Sequence, residues 1–227
     1  MTPQTLQVDI WFDLVCPWCL IGKRHVERAR ELLAQQRPGL GVDLRWHGVQ
    51  LLPGVPSGGL PFREFYVQRL GGADAVRLRQ AQVVEAAQRA GVVIHFDRIA
   101  RMPNTAAAHR ALDWCSAYAG AEVHERLLER LFSAYFIDGE EIGDTPTLLR
   151  LAAPCGADTG RLAASLGAGA TSSEPRQGIA DGVPCFVFNR RVALSGAQPP
   201  EVLLEAMHQA LGATRHAPDE ARTEIAP

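Results

Sequence analysis

No apolar run in the 227 residues approaches the ~20 needed to span a bilayer. The opening stretch, MTPQTLQVDIWFDLV, has no basic segment and no long apolar stretch followed by small residues, so it does not read as a secretory leader. Charge of one sign is also missing. A formal net charge of -2 offers no bulk attraction to nucleic acid or to a membrane surface, and neither is expected as a partner. Cysteine is scarce and its count, five, is odd. Cys115, Cys155 and Cys185 are scattered, and only Cys16 and Cys19 are neighbours in sequence. A disulfide framework is therefore excluded. With no leader, the expected compartment is the cytoplasm, where structural disulfides are rare. No second C-x-x-C exists and no histidine has clip spacing to the first, so no metal is assigned. No internal repeat is visible.

What remains is the composition of an ordinary globular chain, 47% hydrophobic and 21% charged. The length suits one large domain or a domain with a sizeable insertion, and it can bury a core without disulfide staples.

Val8 to Leu14 reads as a strand, rich in β-branched and aromatic residues. A helix is predicted from Pro17, with Leu20, Ile21, Val26, Ala29, Leu32 and Leu33 at three- and four-residue steps and Pro38-Gly39 as its stop. Val42 to Trp46 alternates as a second strand, giving β-α-β with a parallel pair. The Pro- and Gly-dense segment 51–62 reads as a linker. Helices are predicted over 73–90, 105–119, 121–136, 146–153 and 159–166, the fourth opened by Asp144-Thr145-Pro146. Strand signals return at 183–188 and 191–194, joined by Asn189-Arg190 as a hairpin, and a last helix opens at Pro199-Pro200. The expected fold class is α/β: a thioredoxin-like fold with an all-helical insertion. Residues 1–55 and 170–212 would form the thioredoxin-like part, 56–169 the insertion and 213–227 a flexible tail.

In this frame Cys16 stands where strand gives way to helix, and Pro17 takes the first helical position, where its missing N–H costs nothing. The Cys16 sulfur would face the unpaired amides of the helix start, a setting that stabilises a thiolate. Cys19 is about one turn further on the same side, placed to resolve a mixed disulfide at Cys16. Trp18 would be a partly exposed apolar platform beside Cys16, or would pack against the helical insertion. The second signal is GVPCFVF (182–188), where a Val183-Pro184 bond opening a strand is a candidate cis-proline. Such a loop would offer the Val183 backbone to an extended peptide.

The segments WFDLVCPWCLIGKR (11–24), PNTAAAHRALDW (103–114), FSAYFIDGEEIGD (132–144), DGVPCFVFN (181–189) and ALSGAQPPEVL (193–203) resemble the DsbA family, in its FrnE-like branch. Its sister group comprises the 2-hydroxychromene-2-carboxylate isomerases and kappa-class glutathione transferases. The resemblance runs from Val8 to Leu211. It implies a thiol–disulfide oxidoreductase with Cys16 as nucleophile, Cys19 as resolving cysteine, Pro184 as cis-proline and Val183 as the residue that pairs with substrate backbone. Protein or small-molecule thiols and disulfides would be its partners, as a monomer or homodimer, with no cofactor beyond the Cys16–Cys19 couple and with glutathione as an admissible co-substrate. A glutathione-dependent isomerase or transferase is the alternative. That branch usually carries serine at the position of Cys16, so two cysteines favour redox chemistry.

Where the family often has a buried acid, six residues before the first cysteine, this chain has Ile10. Asp13 is the nearest acid, either a proton relay or an exposed turn residue. Asn104 reads as a helix cap that could also line the cleft. His109 reads as a core hydrogen-bonding residue that could instead face the cleft, Cys115 as core, Cys185 as core, and His47 as a strand-end residue that could approach Cys16; Cys155 is left open, an exposed position being admissible.

Overall fold

The structure, a computed structural model, describes residues 5–168 and 182–212. The boundary expected near residue 170 and the expected tail 213–227 lie outside the described residues. β1 (Thr5–Phe12), α1 (Pro17–Gln36) and β2 (Gly41–Gly48) form the β-α-β unit, and β1 and β2 pair in parallel. β5 (Cys185–Phe188) and β6 (Val192–Ser195) return antiparallel, giving one sheet in the order β2-β1-β5-β6. Asn189 and Arg190 both take positive φ, 47° and 58°, as a two-residue hairpin turn matched to strand twist requires. The last helix, α8 (Pro200–Gly212), starts where the proline pair predicts.

Strand alternation decides which side of the sheet is covered. Leu6, Val8 and Ile10 of β1 and Phe186 and Phe188 of β5 are fully buried under Val26, Ala29 and Leu33 of α1 and Leu203 and Met207 of α8. β1 stops at Phe12 rather than running to Leu14, because Asp13 to Cys16 form a turn closed by the Cys16 amide donating to the Asp13 carbonyl at 3.2 Å.

Between β2 and β5 the chain is helical: α2 (Phe62–Leu70), α3 (Ala73–Arg89), α4 (Ala106–Tyr118), α5 (Ala121–Ser133), α6 (Thr145–Ala152) and α7 (Thr159–Gly167). Three features depart from expectation. α2 follows directly on the linker, with only Phe62 fully buried. A short ribbon of β3 (Leu60–Pro61) and β4 (Arg101–Met102) closes the linker. α5 widens into a π turn over Ala134–Asp138, which ends on Gly139 at positive φ. No helix among the described residues is long and apolar enough to cross a membrane.

Candidate active site

Cys16 is the N-cap of α1, with extended backbone (φ -90°, ψ 109°), and Pro17 is the first helical residue. Its carbonyl accepts from the amides of Cys19 at 3.0 Å and Leu20 at 3.4 Å, so the C-x-x-C segment is wound into the first turn. The Val183–Pro184 peptide bond is cis. It turns the Val183 carbonyl towards the thiol, and Cys16 Sγ donates to that oxygen at 3.8 Å. The Pro184 carbonyl in turn accepts from the Gly196 amide at 2.8 Å, which anchors the loop to the far hairpin strand.

A glycine sets how closely helix and loop approach. A Cβ on Gly22 would lie 3.0 Å from Pro184 Cγ and 3.1 Å from Phe186 Cζ. Gly22 is one turn beyond Cys19 on the same side of α1, so its bare surface lets the proline loop settle against the helix that carries both sulfurs.

The two thiols differ. Cys19 is 1% exposed, and burial, the hydrogen bond to Cys16 and the charge of Cys16 push its thiol well above its ordinary value. A backbone hydrogen bond from Asp13 pulls it the other way, and the Asp13 charge raises it further. The two sulfurs are not joined in a disulfide.

Asp13 is fully buried, not an exposed turn residue. One carboxylate oxygen accepts from the Leu51 amide at 2.8 Å, and the other is 3.0 Å from His109 Nε2. A buried carboxylate needs such donors. His109, on α4, thus has a specific partner rather than a generic core hydrogen bond. Among the described residues its buried Nδ1 has no hydrogen-bond partner, and a Cβ on Gly48 would lie 2.4 Å from it. An unpaired acceptor costs less here than an unpaired N–H facing Gly48 would, so the proton belongs on Nε2, donating to Asp13. Ile10 is buried in the sheet core, and Asp13, a buried acid, stands three residues closer to the thiols in sequence.

Asn104 precedes α4, whose N-cap is Thr105. Its Oδ1 accepts from the Ala106 amide at 3.0 Å and from Gln50 Nε2 at 2.7 Å, while its Nδ2 donates to the Val55 carbonyl at 2.6 Å. It ties the start of α4 to the linker. His47 bonds to Asp9 at 2.7 Å and stacks on Trp11 at 4.9 Å. Cys115 is core as expected, the open question of Cys155 is answered, and Cys185 is not where expected. Cys155 is buried, its thiol donating to the Leu151 carbonyl at 3.4 Å. Cys185 is half-buried, because Phe186 and Phe188 claim the core face of β5 and alternation puts Cys185 on the other.

Trp18 is half-buried. It packs against the core, and it forms one wall of a cavity of 230 Å3 with Pro17, Tyr66, Phe96, Arg69 and Arg79. The last four are on or beside the insertion helices, and no motif in the sequence pointed to them. A larger hollow of 720 Å3 between α1 and α5 is lined mainly by charged side chains, among them Lys23, Arg24, Glu27 and Glu129; neither hollow is lined by Cys16 or Cys19, and the smaller one reaches Pro17, next to Cys16.

The model of the DSBA-like thioredoxin domain matches residues 7–208. Among curated proteins, the uncharacterized protein YwbO of Bacillus subtilis is 25% identical over 211 residues, covering 89% of this chain and 96% of its own. Among solved structures, a probable DsbA oxidoreductase from Streptomyces coelicolor superposes with a TM-score of 0.80 at 30% identity, covering 92% of each chain. The cytosolic disulfide reductase DsbM of Pseudomonas aeruginosa, solved with GSH, shares the fold at a TM-score of 0.59 and 24% identity, over 90% of this chain and 98% of its own. Sequence, fold and site geometry agree: the chain belongs to the DSBA-like thioredoxin domain family.

Proposed function

We propose that the protein is a thiol–disulfide oxidoreductase that works through the Cys16-Pro17-Trp18-Cys19 centre in the cytoplasm. The observation that carries this reading is the meeting of Cys16 Sγ with the Val183 carbonyl beside cis-Pro184, a geometry that sets a strand-like substrate alongside the reactive sulfur. In the reducing direction the Cys16 thiolate attacks one sulfur of a substrate disulfide. A Cys16 mixed disulfide forms and one substrate thiolate leaves. Cys19 then loses its proton and attacks Cys16 Sγ. The Cys16–Cys19 disulfide forms, and the second substrate thiol leaves with a proton. Two electrons pass from the dithiol to the substrate.

The second step needs a base, because the Cys19 thiol is held protonated at neutral pH. Asp13 has that role: it is buried, its charge is felt at Cys19, and His109 and Leu51 fix its carboxylate. Substrates are thiols and disulfides of proteins or small molecules. Glutathione, present in the DsbM structure, is the proposed reductant of the Cys16–Cys19 disulfide.

The test is reduction of insulin disulfides with glutathione as electron source. Cys16→Ser abolishes the activity, and Cys19→Ser accumulates a mixed disulfide detectable by mass. Isomerase-type turnover that survives Cys19→Ser, without insulin reduction by the wild type, overturns the reading.

A further inference from the structure

The cavity beside Trp18 is lined by Pro17 and Trp18, the two residues between Cys16 and Cys19, and by Tyr66, which lies close enough to Cys16 to sense its charge. Its volume, 230 Å3, lies below the ~300 Å3 at which whole-ligand pockets begin, so it fits one substituent of a substrate rather than all of it. The walls are the faces of Trp18, Tyr66 and Phe96. Two exposed arginines, Arg69 and Arg79, also line the cavity. The Arg79 guanidinium lies 5.8 Å from the Trp18 ring centroid, and the Arg69 guanidinium 5.9 Å from that of Phe65. Among the described residues neither makes an ion pair, although Arg77, on the same helix as Arg79, pairs with Asp74. Among the described residues the one side-chain hydrogen bond of Arg79 is a long one, 3.5 Å, to Gln82. Burial pushes the Tyr66 hydroxyl up to about 12. Negative charge at Cys16 adds to this, and Arg69 and Arg79 act against it, so all three fields meet at one point.

We infer that this cavity is a substrate subsite, taking an apolar or aromatic group that bears a carboxylate and is attached to the sulfur under attack at Cys16. The aromatic walls take the apolar body and the two guanidinium groups take the anion. The inference rests on the redox reading and adds a substrate class to it: acidic disulfides over neutral ones. The chemistry is the first exchange step. Cys16 Sγ bonds one sulfur of the disulfide, and the other sulfur leaves as a thiolate.

The experiment is a single turnover of reduced protein, freed of reductant, with two aromatic disulfides. 5,5′-Dithiobis(2-nitrobenzoate) carries the carboxylate, and 4,4′-dithiodipyridine does not. Thiolate release is followed by absorbance. Rates of the Cys16→Ser protein are subtracted, and each disulfide is normalised to its reaction with 2-mercaptoethanol. The wild type favours the carboxylated disulfide by about tenfold, the order expected from two exposed guanidinium groups acting on one anion. Arg69→Gln combined with Arg79→Gln brings the ratio towards one, and Arg77→Gln, outside the cavity on the same helix, does not. A ratio unchanged in the double variant, or lowered equally by Arg77→Gln, overturns the subsite and leaves the redox reading standing. No reaction above the Cys16→Ser level with either disulfide overturns both.

Discussion

Asp13 and Cys19 are both buried, and the Asp13 carboxylate makes a negative charge at Cys19 costlier. A thiolate at Cys19 is opposed by burial, by Cys16 and by the Asp13 carboxylate. The proton that must leave Cys19 is therefore most easily received by the group that opposes the charge, since transfer leaves one negative charge in the pocket rather than two. Asp13→Asn keeps the outline of the side chain and removes the carboxylate proposed as the base. Resolution of the Cys16 mixed disulfide is expected to slow by about 10²-fold at pH 7, the lower end of general-base contributions. The initial attack by Cys16 on a small disulfide should change far less. Rapid-quench mass analysis separates the two steps. Because the Cys19 thiol lies above its ordinary value, its thiolate fraction in the variant grows as pH rises, so the deficit should shrink between pH 7 and 9. A deficit that stays constant with pH would deny Asp13 the role of base. His109 was visible in the sequence and its partner was not, because the two residues are 96 positions apart and only the packing of α4 on the β1–α1 turn joins them.

At the scale of elements, α1 carries the site, and the proline loop has to reach it. Gly22 controls that approach. Gly22→Ala has opposing effects on stability: alanine favours the helix by about 1 kcal/mol, while overpacking against Pro184 and Phe186 costs roughly 1–3 kcal/mol. The net change in urea denaturation should be small. Function should suffer more. Displacing the Val183–Pro184 loop by a few tenths of an ångström disturbs the backbone proposed to receive substrate, so insulin reduction should fall several-fold while alkylation of Cys16 by iodoacetamide holds its rate. Equal loss in both assays would show damage to the thiol itself. The β-α-β unit, the hairpin and the helix start at Pro17 were legible because each is fixed by local chemistry: alternation, a two-residue turn, proline at the first helical position. α2 was not, since its apolar stripe, Phe62, Phe65 and Tyr66, is one turn long and abuts a Pro-rich linker. With α2 unseen, Arg69 and Tyr66 could not be placed near Cys16. Cys185 was misplaced because its neighbours Phe186 and Phe188 outcompete a thiol for the core face.

On the scale of the whole molecule, the helical insertion must be held against α1 if its side chains are to shape the site. An ion-pair network at the 720 Å3 hollow does this. Lys23, 2% exposed, donates to Glu27 and to Glu129 of α5, the latter at 2.7 Å, and Arg24 binds the same Glu129 through both terminal nitrogens. Burial alone would raise the Glu129 carboxyl, but the hydrogen bonds from Arg24 and Lys23 outweigh it and hold it at about 2, against 4.5 ordinarily. Arg24 is pushed up in return, first by its hydrogen bond to Glu129. The folded value of Glu129 lies below the unfolded one, so its contribution is complete above about pH 4.5 and is lost as pH falls towards 2. Glu129→Gln should cost about 1–2 kcal/mol at pH 7. That is less than for a fully buried broken pair, because Glu129 is 40% exposed and Lys23 keeps Glu27. In urea denaturation the gap between variant and wild type should narrow at pH 3 relative to pH 7. The same substitution loosens the insertion over the thiols, so insulin reduction at pH 7 should fall while the reaction of Cys16 with a small neutral disulfide persists. A gap that widens on acidification would mean that the network strains the interface between α1 and α5 rather than holding it.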